Sequence, residues 1–327
     1  MTHAIVVEEA GGPEVLKWKS VDVAGAGAGE LVVRHTAIGL NYLDTYFRSG
    51  LYPAPNGYPL IIGNEAAGVV EEVGEGVKGF AVGDRVAYAA PIGAYTERRV
   101  MPAATALKLP DSVSDETAAA MMLQGMTVRY LLKETYKVTT ETTLLFHAAA
   151  GGVGLIAGQW AKAIGATIIG TVSNEEKAEL ARANGYTHVI NYKTENFVER
   201  VKEITGGEGV DVVYDSVGKT TYPGSLQCLK PLGLFASFGQ SSGPIEGFNL
   251  AHLAQNGSLY ATRPTLFTYI RTRPLLEANA ADLFEVVGSG KVKISIGQTF
   301  ALKDAAEAHR ALEGRATTGS TVLVPEQ

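Results

Sequence analysis

The sequence predicts an α/β protein of two domains: a mostly β first part, then a doubly wound layer of parallel strands and helices. Three observations carry that prediction. The chain has 327 residues, more than a single hydrophobic core usually spans. Up to about residue 120 it reads as short β-branched or alternating runs separated by turns. After that, strand-like and helix-like runs alternate, which is the signature of βαβ units and a parallel sheet.

In the first part, "AIVVEE", "ELVVRHTAIG" and "AAGVVEEVG" read as strands, and "GGPE", "AGAGAGE" and "YPAPNGYP" as the loops between them. "GFAVGDRVAYAA" is a turn entering a further strand. Ser114, followed by Glu116 and Thr117, suits a helix start, and Gly125 is expected to break that helical stretch in two. The alternating region follows. "TTLLFH" is a strand, "VGLIAGQWAKAIG" a helix ended by Gly165, "TIIGTV" a strand, and "EEKAELARANG" a helix ended by Gly185. "HVINY" is a strand, "ENFVERVKEITGG" a helix, and "VDVVYDSVG" holds a strand. "TYPGSLQCLKPLG" is a helix expected to be interrupted near Pro223, and "LFASFG" is a strand. Right-handed crossovers then give the doubly wound arrangement. "PLLEANAADLFEVVGSG" and "LKDAAEAHRALEG" are helices, and "STVLVPEQ" is a closing β run expected to pack on the first part. The expected domains are 1–122, completed by 266–327, and 123–265.

Composition narrows the partners. A net charge of -6 gives no electrostatic reason to expect nucleic acid or an anionic membrane. Cys228 is the single cysteine, which excludes an intrachain disulfide and a cysteine-rich zinc site. No apolar run approaches a membrane span, and "MTHAIVVEEAGG" has no basic stretch leading into a long apolar one. The expectation is a cytoplasmic protein without a membrane partner.

The stretch Ala149-Ala150-Gly151-Gly152-Val153-Gly154 lies between a strand and a helix. It matches the dinucleotide fingerprint G-x-G-x-x-G with alanine at the first glycine. Gly151 lets the backbone approach a diphosphate, and Gly154 lets the helix sit close to the strand. The first amides of the helix, aided by its dipole, would bind the phosphates. An NAD site would place an acidic residue about 20 residues further on. Here the second strand ends in Ser173 and Asn174, both neutral. Ser173 and Glu176 have capping-box spacing, and Lys177 lies one turn in, where it could reach a 2′-phosphate. NADPH is therefore the expected cofactor.

Together with "AIGLNYLDTYFRSGLYP", "IIGNEAAGVVEEVGEGVKGFAVGDRV", "AAAGGVGLIAGQWAKAIGA" and "VDVVYDSVG", the chain resembles the medium-chain dehydrogenase/reductase superfamily. Within it, the sequence is similar to the zinc-free quinone oxidoreductases of the zeta-crystallin-like branch, over essentially its whole length. The resemblance implies a GroES-like, mostly β catalytic domain, an inserted Rossmann domain and a homodimer. Zinc-bearing relatives have Cys where this chain has Asn41 and His where it has Asn64. Glu65 alone cannot form a tetrahedral zinc site, so no metal is expected. By resemblance, Asn41 and Tyr46 stand near the nicotinamide, with Thr127 beside it. Gly151, Gly152 and Val153 take the diphosphate, and Ser173, Lys177 and Tyr192 surround the adenosine phosphate. Ser216, Phe238, Gly239 and Ser241 line the cleft, with Arg263 and Arg315 as further cofactor contacts. Gln124 sits where relatives can carry lysine.

No Ser-His-Asp or Cys-His arrangement can be argued from the sequence, which leaves the chemistry to the cofactor. A quinone needs little activation, so its reduction suits a site without a Lewis acid. Asn41, Tyr46, Tyr52 and Thr127 are the catalytic candidates, with Tyr46 and Tyr52 able to donate a proton or hydrogen bond to the acceptor oxygen. Two alternatives stand beside NADPH:quinone reduction. One is NADPH-dependent reduction of α,β-unsaturated carbonyls. The other is an NADPH-binding protein with an RNA-binding role and little turnover, which the acidic balance disfavours.

Overall fold

The computed structural model describes residues 2–326. The chain divides into two compact units. The first runs to Met126 and adds Ile270–Phe284 and the segment from Ile294 onward. The second is Thr127–Tyr269 with Glu285–Lys293.

The first unit begins with β1 (Thr2–Val7), β2 (Lys17–Val21), β3 (Glu30–Leu40), α1 (Tyr42–Arg48), β4 (Leu60–Ile61), β5 (Glu65–Val73), β6 (Arg85–Tyr88), β7 (Arg98–Pro102), β8 (Leu107–Lys108) and α2 (Asp115–Ala119). Ser114 caps α2 by accepting from the Thr117 amide, as its sequence position suggests. The helical stretch does break, but not at Gly125. The interruption falls at Ala120–Met121, and Gly125 lies inside α3 (Met122–Tyr130). A Cβ on Gly125 would come within 2.5 Å of Leu283, so this glycine serves close packing rather than a break.

Within the second unit come β9 (Thr143–Phe146), α4 (Gly152–Ile164), β10 (Thr167–Val172), α5 (Glu175–Ala183), β11 (His188–Asn191), α6 (Phe197–Ile204), β12 (Val210–Asp215), α7 (Tyr222–Gln227), β13 (Leu229–Ser237), α8 (Leu250–Gln255), β14 (Tyr260–Thr262) and α9 (Leu266–Tyr269). The strands are all parallel, in the order β11-β10-β9-β12-β13-β14. Counted from β9 this is 3-2-1-4-5-6, the doubly wound order. Gly165, at φ 93°, ends α4 in a left-handed cap. Pro223 does not interrupt α7; it occupies the first turn, where its missing N–H costs nothing. Buried Leu145, Ile169, Ile190, Val213 and Phe235 fill one core of this unit.

The chain closes with α10 (Arg273–Gly288), β15 (Ile296–Ala301), α11 (Ala305–Glu313) and β16 (Ser320–Val324). β16 pairs antiparallel with β3, so the closing run does return to the first unit. A seven-stranded sheet results, in the order β15-β16-β3-β5-β6-β8, with β7 also paired to β3. β3 is buried at Leu31–Val33 and again from Ala37 to Leu40, the two apolar stretches on either side of exposed Arg34. Beside it stands a three-stranded sheet, β2-β1-β4. No helix among the described residues is long and apolar enough to cross a membrane.

Candidate cofactor-binding site

In a parallel sheet, every residue that follows a strand lies along the carboxyl edge. The sequence-predicted residues of the second unit fall there in spatial order. Tyr192 follows β11, with its amide donating to the Val172 carbonyl at the end of β10 at 3.0 Å. Ser173 follows β10, Gly151–Val153 follow β9, and Ser216 follows β12. Phe238, Gly239 and Ser241 follow β13, and Arg263 follows β14. The strand order reverses direction between β9 and β12, the place where open α/β sheets bind ligands.

The turn after β9 is built by close backbone approach. Ala148 takes a left-handed φ of 57°, and its carbonyl accepts from the Gly151 amide at 3.0 Å. Gly151 caps α4 without any side-chain hydrogen bond, so the first amides of the helix face outward with no side chain from their own cap. A Cβ on Gly154 would run into the carbonyl oxygens of Ala148 and Ala149. Glycine there brings the helix start against the turn, the cradle a diphosphate requires. Sequence reasoning assigned the fingerprint's departure to Ala149; the strained residue is Ala148, one position earlier.

At the end of β10 the cap is Asn174, not Ser173. Asn174 Oδ1 accepts from the Lys177 amide at 2.9 Å, because α5 begins one residue later than the S-x-x-E spacing suggests. Lys177 is half-buried in the first turn of α5, and no carboxylate ends β10. On the other side, the amides of Phe238 and Gly239 donate to the Asp215 carbonyl at 2.9 and 3.3 Å, and Ser241 to that of Ser216 at 3.1 Å. Arg263 Nη1 donates to the Ser237 carbonyl at 2.8 Å. Phe238 is packed on Phe146, with ring centres 5.5 Å apart. Thr127 is buried and hydrogen-bonds the Tyr130 hydroxyl, on whose ring Tyr269 stacks at 4.2 Å.

Beneath this edge lies a polar core that sequence reasoning missed. His147, directly after β9, contacts Thr171 Oγ1 at 2.9 Å and Ser225 Oγ at 3.0 Å. Ser225 Oγ in turn donates to Asp215 at 2.8 Å. The serine therefore offers only lone pairs to the histidine, so this is a brace across β9, β10 and β12 and not a nucleophile with its base. Burial pushes the His147 pKa down, against the opposing pull of Asp215.

In the first unit, Asn41 stands at the N-cap of α1, where its backbone amide donates to Asp44 Oδ2 at 2.9 Å and its backbone carbonyl accepts from the Asp44 amide at 3.0 Å. Its side-chain Nδ2 donates to Glu65 Oε1 at 2.6 Å, and its Oδ1 accepts from Gln124 Nε2 at 3.1 Å. Asn64 Nδ2 and the Tyr95 hydroxyl both donate to Asp44, at 3.0 and 3.1 Å. Burial raises Asp44 to about 6 and Glu65 to about 8. Tyr46 and Tyr52 pack ring to ring at 5.3 Å, with Tyr46 buried and Tyr52 half-buried. Arg315 follows α11 in this unit at a left-handed φ of 58°.

This arrangement defines a class: an α/β protein with a dinucleotide-type sheet edge and a separate β unit carrying a buried amide–carboxyl cluster. Comparison with known proteins narrows the class. Residues 27–111 match the Alcohol dehydrogenase GroES-like domain, and residues 152–278 match the Zinc-binding dehydrogenase family. The chain is 54% identical to a Quinone oxidoreductase of Pseudomonas aeruginosa, covering 96% of this chain and 97% of that one. It is 47% identical to the 2-haloacrylate reductase of a Burkholderia species over the full length of both. The crystal structure of Escherichia coli quinone oxidoreductase complexed with NADPH superposes with a TM-score of 0.97 at 51% identity, covering 99% of this chain and 100% of that one. The chain belongs to the zinc-free quinone oxidoreductases of the medium-chain dehydrogenase/reductase superfamily. The zinc in the matched family's description does not fit here. Asn41 and Asn64 offer amides already engaged with carboxyl groups, and no cluster of three His, Cys, Asp or Glu side chains stands among the described residues.

Proposed function

We propose that this chain is an NADPH-dependent quinone reductase that works without a metal. One observation carries the cofactor assignment. The diphosphate turn at Gly151–Gly154 stands beside a second strand that ends in neutral Ser173 and Asn174, with Lys177 in the following helix turn. Amides at the start of α4 would hold the diphosphate, and the Lys177 ammonium would hold a 2′-phosphate, with Ser173 and Tyr192 beside it. Ser216, Phe238, Gly239, Ser241, Arg263 and Thr127 would form the other end of the cofactor site, and Arg315 is a further proposed contact. When bound, NADPH supplies the hydride. Asn41 would orient the ring amide or the acceptor, and Tyr46 or Tyr52 would offer a proton to the acceptor oxygen. The relatives bearing the quinone oxidoreductase name support the substrate class.

The Burkholderia relative named 2-haloacrylate reductase favours a second reading, reduction of activated carbon–carbon double bonds. NADPH consumption with an ortho-quinone, a para-quinone and a short enal, run beside an NADH control, separates the two. Fast quinone turnover with NADPH is expected. Preference for the enal supports the second reading, and tight NADPH binding with no turnover overturns both. Tyr46→Phe and Tyr52→Phe are expected to lower kcat; full turnover in both removes the tyrosines from the chemistry. We propose a cytoplasmic location, in keeping with the single cysteine Cys228 and hence no intrachain disulfide, and, separately, a homodimer. Support for the homodimer is the edge strand β14, where Tyr260 is 63% exposed, together with Leu232 at 64% and Leu250 at 75%. Size-exclusion chromatography with light scattering tests it.

A further inference from the structure

Four side chains from distant parts of the first unit form one unbranched hydrogen-bond chain: Glu65, Asn41, Gln124 and Ser320. All four are at least nine-tenths buried. As placed, Asn41 Nδ2 donates to Glu65 Oε1, Gln124 Nε2 donates to Asn41 Oδ1, and Ser320 Oγ donates to Gln124 Oε1 at 2.8 Å. That direction creates a conflict at its far end. Ser320 Oγ also faces the Ala120 carbonyl at 3.0 Å, and a hydroxyl has one proton for these two acceptors.

An amide's oxygen and nitrogen are interchangeable by a half-turn that leaves the heavy-atom frame unchanged. Turning both amides resolves the conflict. Gln124 Nε2 then donates to Ser320 Oγ, and the serine's proton goes to Ala120. Asn41 Nδ2 donates to Gln124 Oε1, and Asn41 Oδ1 needs a donor from Glu65. A neutral carboxylic acid supplies it. The other oxygen of Glu65 accepts from the Leu123 amide at 2.6 Å in either state. Every contact in the chain then pairs one proton with one acceptor.

The surroundings favour the neutral acid. The titratable groups facing Glu65 are Asp44 of α1 and Tyr95, both of which are acids, and among the described residues no lysine or arginine side chain pairs with it. On the paired strand, Gly39 stands opposite Glu65 and leaves room for the buried carboxyl; a Cβ there would strike the Glu65 side chain. Burial raises Glu65 to about 8, in agreement with this geometry.

We propose that Glu65, as a neutral carboxylic acid, together with Gln124 and Ser320, holds the Asn41 amide with its carbonyl toward Glu65 and its NH2 toward Gln124. The three are positioning residues for Asn41. Loss of the Glu65 proton to solvent reverses the whole chain and exchanges the donor and acceptor that Asn41 presents. The functional consequence rests on the proposed role of Asn41 at the nicotinamide; the chain's direction does not.

The first test needs neither cofactor nor turnover. Infrared difference spectra of the wild-type chain against Glu65→Gln should show, at pH 7, the carbonyl stretch of a buried protonated carboxyl. That band should give way to carboxylate bands as pH rises through about 8. A carboxylate at pH 7 overturns the proposal. Ser320→Ala removes two hydrogen bonds from the neutral arrangement and one from the ionised arrangement. It should move this titration down by roughly half to one pH unit; an unmoved titration breaks the link to Ser320. The second test is kinetic. The wild-type kcat with NADPH and a quinone should fall on the alkaline side with an inflection near that of the infrared titration, while KM for NADPH changes little. In Glu65→Gln, whose side-chain NH2 permanently mimics the acid's donor, that inflection should vanish. The same inflection persisting in the variant overturns the proposal. If no acceptor is reduced at all, the reductase reading fails while the infrared result still decides the direction of the chain.

Discussion

His309, on α11, offers a measurable link between a single buried proton and stability. Its Nδ1 lies 3.0 Å from Arg48 Nη1, which can only donate, so Nδ1 accepts and the ring is neutral with its proton on Nε2. Nε2 then donates to the Tyr95 hydroxyl at 3.1 Å, and Tyr95 donates to Asp44. Protonating His309 would set an N–H against a guanidinium in a buried site. Burial first, and Arg48 second, lower its pKa from 6.5 to about 3. Between these values the unfolded chain binds a proton that the folded chain does not, so stability is full above about 6.5 and is lost as pH falls. The slope is about 1.4 kcal/mol per pH unit, giving on the order of 3 kcal/mol between pH 7.5 and 4.5. That is a large part of a typical net stability of about 5–15 kcal/mol. His309→Gln remains neutral throughout. The variant should be less stable than wild type at pH 7.5, and the gap should shrink by about 3 kcal/mol by pH 4.5. His35, which lies outside this hydrogen-bond chain, acts on both proteins and cancels in the difference; Asp44, linked to His309 through Tyr95, is held constant by making the same comparison in an Asp44→Asn background. Urea unfolding in a Trp160→Phe background leaves Trp18 to report on the first unit. A gap that stays constant across this pH range would refute the reasoning.

Two further outcomes follow from the sheet edge. Gly154→Ala places a methyl group against the carbonyls of Ala148 and Ala149 and should push the start of α4 away from the turn. NADPH affinity, followed by nicotinamide fluorescence, should drop at least about tenfold, in line with one lost charge-assisted hydrogen bond. Under the proposed contact of the Lys177 ammonium with the 2′-phosphate, Lys177→Ala should weaken NADPH by roughly 10- to 100-fold and leave NADH unchanged. Equal weakening of both cofactors would remove Lys177 from 2′-phosphate recognition.

The sheet edge was legible because each of its parts is local. A strand, a glycine turn and a helix start lie within a dozen residues, and parallel pairing then lines the strand ends up automatically. Errors arose where a local signal had two physical meanings. Gly125 reads as a helix break, but the same absence of Cβ serves the approach of Leu283 inside a helix. Pro223 reads as an interruption, yet proline is equally at home in a first turn. Ser173 and Asn174 are both good caps, and one residue's difference in where β10 ends decides between them. The buried clusters were illegible for the opposite reason. Glu65, Asn41, Gln124 and Ser320 span 279 positions from first to last, and no periodicity in the sequence joins them.

The same four residues bear on how a fold matched to a zinc-binding family can do without the metal. By the family resemblance, Asn41 and Asn64 occupy positions where zinc-bearing relatives have Cys and His. A metal site at this place would concentrate charge: a dication held by ionised or basic donors. Here each asparagine instead meets a buried carboxyl, Asn41 with Glu65 and Asn64 with Asp44. An amide is neutral and carries donor and acceptor together, so it can satisfy a carboxyl in either protonation state. Burial raises both carboxyls, Glu65 to about 8 and Asp44 to about 6. The site has thus exchanged charge for direction. On the proposed role of Asn41, the site orients an acceptor rather than polarising it, through the second N–H and second carbonyl lone pair that the amide keeps after its bonds to Glu65 and Gln124. An acceptor that is already electron-poor asks no more of the protein than that orientation, which is why the amide chain and a quinone-type substrate belong to the same physical argument.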